Sequence, residues 1–153
     1  MNGLLNISEA MSIAVHTCVW LGVAEGEQIP ANQIAEALGF SSNHLSKVAR
    51  KLVQEGILSS ERGPNGGLML ARPLSDVSIM DLYLSTGGRT KKSGCLLKSN
   101  VCDGRGCILG QVLAQENKRL VDLFTRTMLD EVVKSFKLNK CPSKRKGECD
   151  GKA

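Results

Sequence analysis

The sequence predicts a mainly α-helical fold with a small β-hairpin: a winged helix-turn-helix followed by a long C-terminal dimerisation helix. Three observations predict it. Apolar residues recur at helical spacing in three successive segments ahead of Gly56. Two short apolar runs then flank the turn Gly63-Pro64-Asn65-Gly66-Gly67. A long apolar stripe follows a basic, glycine-containing loop.

The elements follow in order. Ile7, Met11, Ala14, Val15, Cys18, Val19 and Leu21 mark an amphipathic first helix over roughly 8–24. Pro30 opens a short helix through Ile34, Ala35 and Leu38, and Gly39 ends it. Ser41 or Ser42 caps a third helix with the stripe Leu45, Val48, Leu52 and Val53, closed by Gly56. Ile57–Glu61 and Leu68–Ala71 read as the hairpin, and Pro73 stops its second strand. Ser78 and Asp81 have capping-box spacing at the start of a short helix that ends at Gly87-Gly88. Ile108, Val112, Leu113, Leu120, Leu123, Phe124, Met128, Leu129, Val132 and Phe136 mark one long helix. The expected organisation is a helix-turn-helix unit over 1–88, a cysteine-bearing loop over 89–107, a long helix over 108–136 and a disordered basic tail over 137–153.

A chain of 153 residues suits one domain with an appended arm. Aromatics are only 3%, which argues against stacking on single-stranded nucleic acid. No apolar run approaches the roughly 20 residues of a membrane span. Met1 to Ala10 lacks the basic start of a signal peptide, so a cytoplasmic protein is expected. The net charge is +5, of which the tail holds +4 (six Lys and Arg against two acids) and the rest +1. Any case for nucleic acid therefore rests on local placement of charge. No nucleophile–base pair, phosphate loop or paired catalytic carboxylates are evident, so no enzyme is expected.

The third helix, from about Asn43 to Glu55, fits a DNA major groove with its N-terminal side chains near base edges. Asn43, His44, Ser46 and Lys47 occupy that end, and Arg50 and Lys51 lie where phosphates run. The hairpin tip offers Arg62 beside Gly63 and Pro64, suited to a narrow groove. From Ser42 to Arg72 there are five basic residues and two acidic ones. Helix-turn-helix units also serve as plain structural modules, in which Asn43 and His44 are surface residues.

There are six cysteines. Cys95, Cys102 and Cys107 are spaced C-x6-C-x4-C among glycines and cations, a soft-metal or redox pattern. It is not a paired CxxC zinc pattern, and three thiolates leave a four-coordinate site one ligand short. Cys18 lies on an apolar stripe as a small hydrophobe, and Cys141 and Cys149 sit in the polar tail.

The stretch LSKVARKLVQEGILSSERGPNGGLMLARP resembles the signature of the Rrf2 family of bacterial transcription regulators. Arg62, Gly63, Pro64, Gly66, Gly67, Leu70, Ala71 and Arg72 match its wing, and Ile79-x-Asp81 matches the helix beyond. The likeness spans roughly residues 7–136. Departures are the start MNGLLNIS, which lacks a basic second residue, Asn65 for a common glycine and Leu68 for a common tyrosine. The resemblance implies a homodimer on a palindromic double-stranded DNA operator, with the helix from Ile108 as dimerisation helix. It also implies that Cys95, Cys102 and Cys107 hold an iron–sulfur cluster, of two or four irons, whose state controls DNA binding. The fourth ligand stays open. One branch uses a histidine where Gly110 stands here. Another uses an aspartate of the partner subunit's first helix, aligned with Ser12. Glu9 and His16, one turn to either side, and Asp103 are the other candidates. Alternatives are a structural zinc, direct thiol sensing, or a module that acts through a partner protein.

Overall fold

A computed structural model describes residues 7–63, 66–90 and 106–136. Pro64, Cys95, Cys102, Asp103, Cys141 and Cys149 lie outside the described residues.

Helix α1 (Glu9–Val23) begins where the Ser8 hydroxyl accepts a hydrogen bond from the Met11 N–H at 3.2 Å. Sequence periodicity predicts an amphipathic helix here, and the structure corrects that. Met11, Ile13, Ala14, Thr17, Cys18, Val19, Trp20 and Leu21 are all buried, so α1 is covered on most of its circumference. A helix that is apolar nearly all round belongs inside a core.

Around it pack α2 (Ala31–Leu38) and α3 (Ser42–Gln54), the two arms of the helix-turn-helix. Gly39 ends α2 at φ 71°, a left-handed conformation that a glycine adopts without strain. In α3, Leu45, Val48, Ala49 and Leu52 are buried, and Ser41 is the N-cap residue. The wing follows as β1 (Leu58–Ser60) and β2 (Leu68–Leu70), antiparallel with Leu58 opposite Leu70. Both strands are shorter than the sequence suggests. A further rung is added from outside the hairpin: Ile29 and Leu68 exchange backbone hydrogen bonds of 3.0 and 2.9 Å. Gly67 makes this possible, because a Cβ there would stand 2.6 Å from the Ile29 carbonyl carbon.

A 3-10 turn (Leu74–Asp76) leads to α4 (Ile79–Ser85). The capping box forms as expected. The Ser78 N–H donates to Asp81 Oδ2 at 2.8 Å and the Asp81 N–H donates to the Ser78 hydroxyl at 3.1 Å.

The single long helix expected over 108–136 is two helices, α5 (Ile108–Arg126) and α6 (Leu129–Ser135). Thr127 and Met128 between them are extended, and Met128 forms a β-bridge with Ser78. The Ile79 N–H donates to the Thr127 carbonyl at 3.0 Å and the Leu129 N–H to the Val77 carbonyl at 2.9 Å. Those bonds replace the helical ones lost at the break. The gain is burial: Leu129 is fully enclosed, and α6 packs on α1 and the 3-10 turn while α5 lies against α4.

Leu129→Ala is therefore expected to cost about 2–5 kcal/mol of stability, read from urea unfolding. Gly67→Ala should unseat the wing from Ile29, measured as faster amide exchange at Leu68 than in the parent.

Candidate nucleic-acid interface and cysteine-bearing segment

Burial of one side of α3 fixes what the other side presents. With Leu45, Val48, Ala49 and Leu52 in the core, Asn43, Ser46, Lys47 and Arg50 come out together at i, i+3, i+4 and i+7. All four are exposed, as are Lys51 beside them and Arg62 and Gly63 at the wing. Gly63 has φ 123°, which favours glycine at the tip. Helix and wing thus offer cations and small polar donors with no apolar cover.

His44 differs from its neighbours. It is half-buried, and its Nδ1 lies 3.4 Å from Glu9 Oε2 at the start of α1. An exposed pair of this kind contributes little to stability. It does join a candidate ligand of the cysteine loop to a candidate base reader. Sequence reasoning named both residues for separate roles and missed the pairing, because nothing in local spacing relates residue 9 to residue 44.

Glu9, Ser12 and His16 share one face of α1. The His16 Nδ1 is 2.7 Å from the Ser12 carbonyl. A carbonyl only accepts, so Nδ1 carries the hydrogen, which in the neutral ring leaves the lone pair on Nε2. The ring stands edge-on to Phe40 and Phe136, with centroids 6.2 and 5.6 Å away. Phe40 lies between α2 and α3, and Phe136 follows α6, so His16 ties the helix-turn-helix to the end of the described chain.

Cys107 is the N-cap of α5. Its exposed thiol accepts a hydrogen bond from the Gly110 N–H at 3.3 Å. A sulfur at a helix N-terminus faces N–H groups that the helix itself leaves without a partner. Cys18 is the opposite case. Burial pushes its thiol up to about 12, so it stays protonated and unreactive. Among the described residues, no three His, Cys, Asp or Glu side chains stand together as a metal site.

Helix α5 has no fully buried residue, and Ile108, Leu109, Val112 and Leu123 are large exposed apolar side chains. Its inner side rests on α4, where Phe124 meets Tyr83 edge-on at 6.0 Å.

The Rrf2 family model, described as an iron-dependent transcriptional regulator, matches residues 7–135. The chain belongs to the Rrf2 family. Among its relatives, YwgB of Bacillus subtilis (strain 168), an HTH-type regulator by its name, is 31% identical over 69% of each chain. The HTH-type transcriptional regulator IscR of Xenorhabdus nematophila is 23% identical over 87% of this chain and 77% of its own. A solved structure of CymR, the global cysteine regulator of B. subtilis, superposes with a TM-score of 0.72 at 16% identity, over 87% of this chain and 99% of that one. Rrf2 proteins are transcription regulators that bind DNA, not enzymes, and so is this one. Among the described residues, no helix is long and apolar enough to cross a membrane.

Three outcomes are expected. Lys47→Ala and Arg50→Ala should each weaken binding to DNA of any sequence and lower the salt slope by about one, measured by fluorescence anisotropy. In native protein at pH 8, Cys107 should react with a thiol reagent and Cys18 should not. Because the folded state holds the Cys18 proton up to about 12, stability should fall as pH rises from about 9 towards that value.

Proposed function

We propose that this Rrf2 regulator binds a palindromic operator as a homodimeric repressor, its affinity gated by an iron–sulfur cluster on Cys95, Cys102 and Cys107. The observation that carries the reading is Cys107 itself: an exposed thiol that also caps the helix expected to form the dimer. The family description as iron-dependent regulators supports it.

This chain's residues can link the two events. Cys107 holds the first turn of α5 through the Gly110 N–H. Helix α5 packs on α4, and α4 packs on α1 and α3. A change in what Cys107 bonds is then felt at α3, which presents Lys47 and Arg50. The apolar stripe of α5 calls for a cover, and a second copy of the helix supplies one. When bound, the cluster would supply a centre that reacts with oxidants and nitric oxide. For its fourth position, His16 offers the Nε2 lone pair, with its ring held by the Ser12 carbonyl in the manner of metal-bound histidines. Glu9 offers an exposed carboxylate, at the cost of its contact with His44. Ser12 offers its hydroxyl, 3.4 Å from the His16 Nδ1, and Asp103 is the candidate within the loop.

A second reading rests on the same thiol. Cys107, exposed at a helix N-terminus, suits direct oxidation without any metal.

Anaerobically purified protein separates the two. Visible absorption with matching iron and sulfide, lost in Cys107→Ser, is the expected result. Colourless protein whose DNA binding responds to peroxide would overturn the cluster in favour of thiol sensing, and bound zinc would make the site structural. Selection from random oligonucleotides should enrich a palindrome. No enrichment would point to action through a partner protein.

A further inference from the structure

Arg72 closes the wing motif and has no part in the DNA-facing surface. Its side chain is half-buried, and its Nε is shielded from solvent without a hydrogen-bond partner. A buried donor on a cation is costly to leave unpaired, and a carboxylate reaches this one only if the side chain turns toward the cleft. The arginine lines a cleft of about 180 Å³ together with Glu55, Ile57, Asp81, Leu84 and Ser85.

The lining restricts what fits. Ile57 is fully buried beneath the cleft, and Leu84, 49% exposed, is its apolar side. The Asp81 Oδ2 is committed to Ser78, and the Ser85 hydroxyl donates to the Asp81 carbonyl at 2.7 Å. Glu55, the C-cap residue of α3, is exposed and makes no ion pair among the described residues. The cleft therefore holds one cation with an unused fork and one uncommitted carboxylate. A guanidinium takes a carboxylate through two parallel N–H bonds. A simple anion would meet Glu55 and Asp81 as well, and a simple cation would meet Arg72. A molecule carrying both charges satisfies each. At about 30 Å³ per water, the space holds about six water-sized groups.

We infer that this cleft binds a small zwitterionic α-amino acid, its carboxylate on Arg72 and its ammonium on Glu55. The site joins the end of α3, the strand return after β2 and one side of α4. Its occupancy and DNA binding are then linked reciprocally. The inference goes beyond the cluster and stands whether or not one is present.

The test is calorimetric titration of the full chain with each common L-α-amino acid in turn, with acetate and ethylammonium as single-charge controls. At least one small amino acid is expected to bind saturably, one per chain, and each control to bind roughly tenfold more weakly or less. Arg72→Gln and Glu55→Gln should each lower that affinity by roughly tenfold or more. Glu55 is exposed at a helix end, so its variant keeps the test decisive if Arg72→Gln fails to fold. No binding by any amino acid, or binding unchanged in Glu55→Gln, would overturn the proposal.

Discussion

Burial of α1 is the constraint on which the rest of the molecule depends. Its apolar residues leave no broad face for water, so neighbours must enclose it. The helix-turn-helix covers part of it, β2 and α4 cover more, and α6 closes the remainder. Close packing at the centre leaves little slack: a Cβ on Gly22 would stand 2.6 Å from the Leu74 side chain. A domain of this size with one central helix transmits any displacement to several elements at once.

Enclosing α1 decides what faces outward. Helix α3 gives its apolar side to the core and is left with a cationic, polar side. The wing is held beside it by the Ile29–Leu68 rung as well as by its own ladder. Helix α5 is the exception. It touches the core mainly through Phe124 and Tyr83 and leaves a stripe of aliphatic side chains in the open. A structure that spends its apolar surface so carefully elsewhere has kept this one in reserve.

Polar groups are placed with equal economy. The capping box closes the start of α4, and the Ser78–Met128 bridge with the bonds of Val77 and Ile79 makes good the break in helical bonding at Thr127–Met128. Against that background two buried polar atoms are left without a partner among the described residues, Thr17 Oγ1 and Arg72 Nε. The two thiols show how environment alone divides one residue type. Cys18, within the core, is held protonated, while Cys107 meets solvent and a helix N-terminus.

Much of this was legible in the order of residues. Helix caps at Gly39 and Ser78, the buried stripe of α3 and the hairpin around Gly66-Gly67 depend on local backbone preferences, and these act within a few residues. The cationic, exposed side of α3 follows from the same stripe, because exposure is its complement. Local rules failed where energy came from distant partners. No proline or glycine marks the break at Thr127–Met128, whose lost helical bonds are made good by Val77 and Ile79 some fifty residues earlier. Periodicity could not tell a half-covered α1 from an enclosed one, since that depends on how many neighbours arrive. Nor could it bring Glu9 to His44, or leave Arg72 unpaired beside Glu55. By itself the sequence determined the elements and their apolar faces. Only tertiary packing decided which faces were covered and which charges met, because those terms exist only once distant segments share a core.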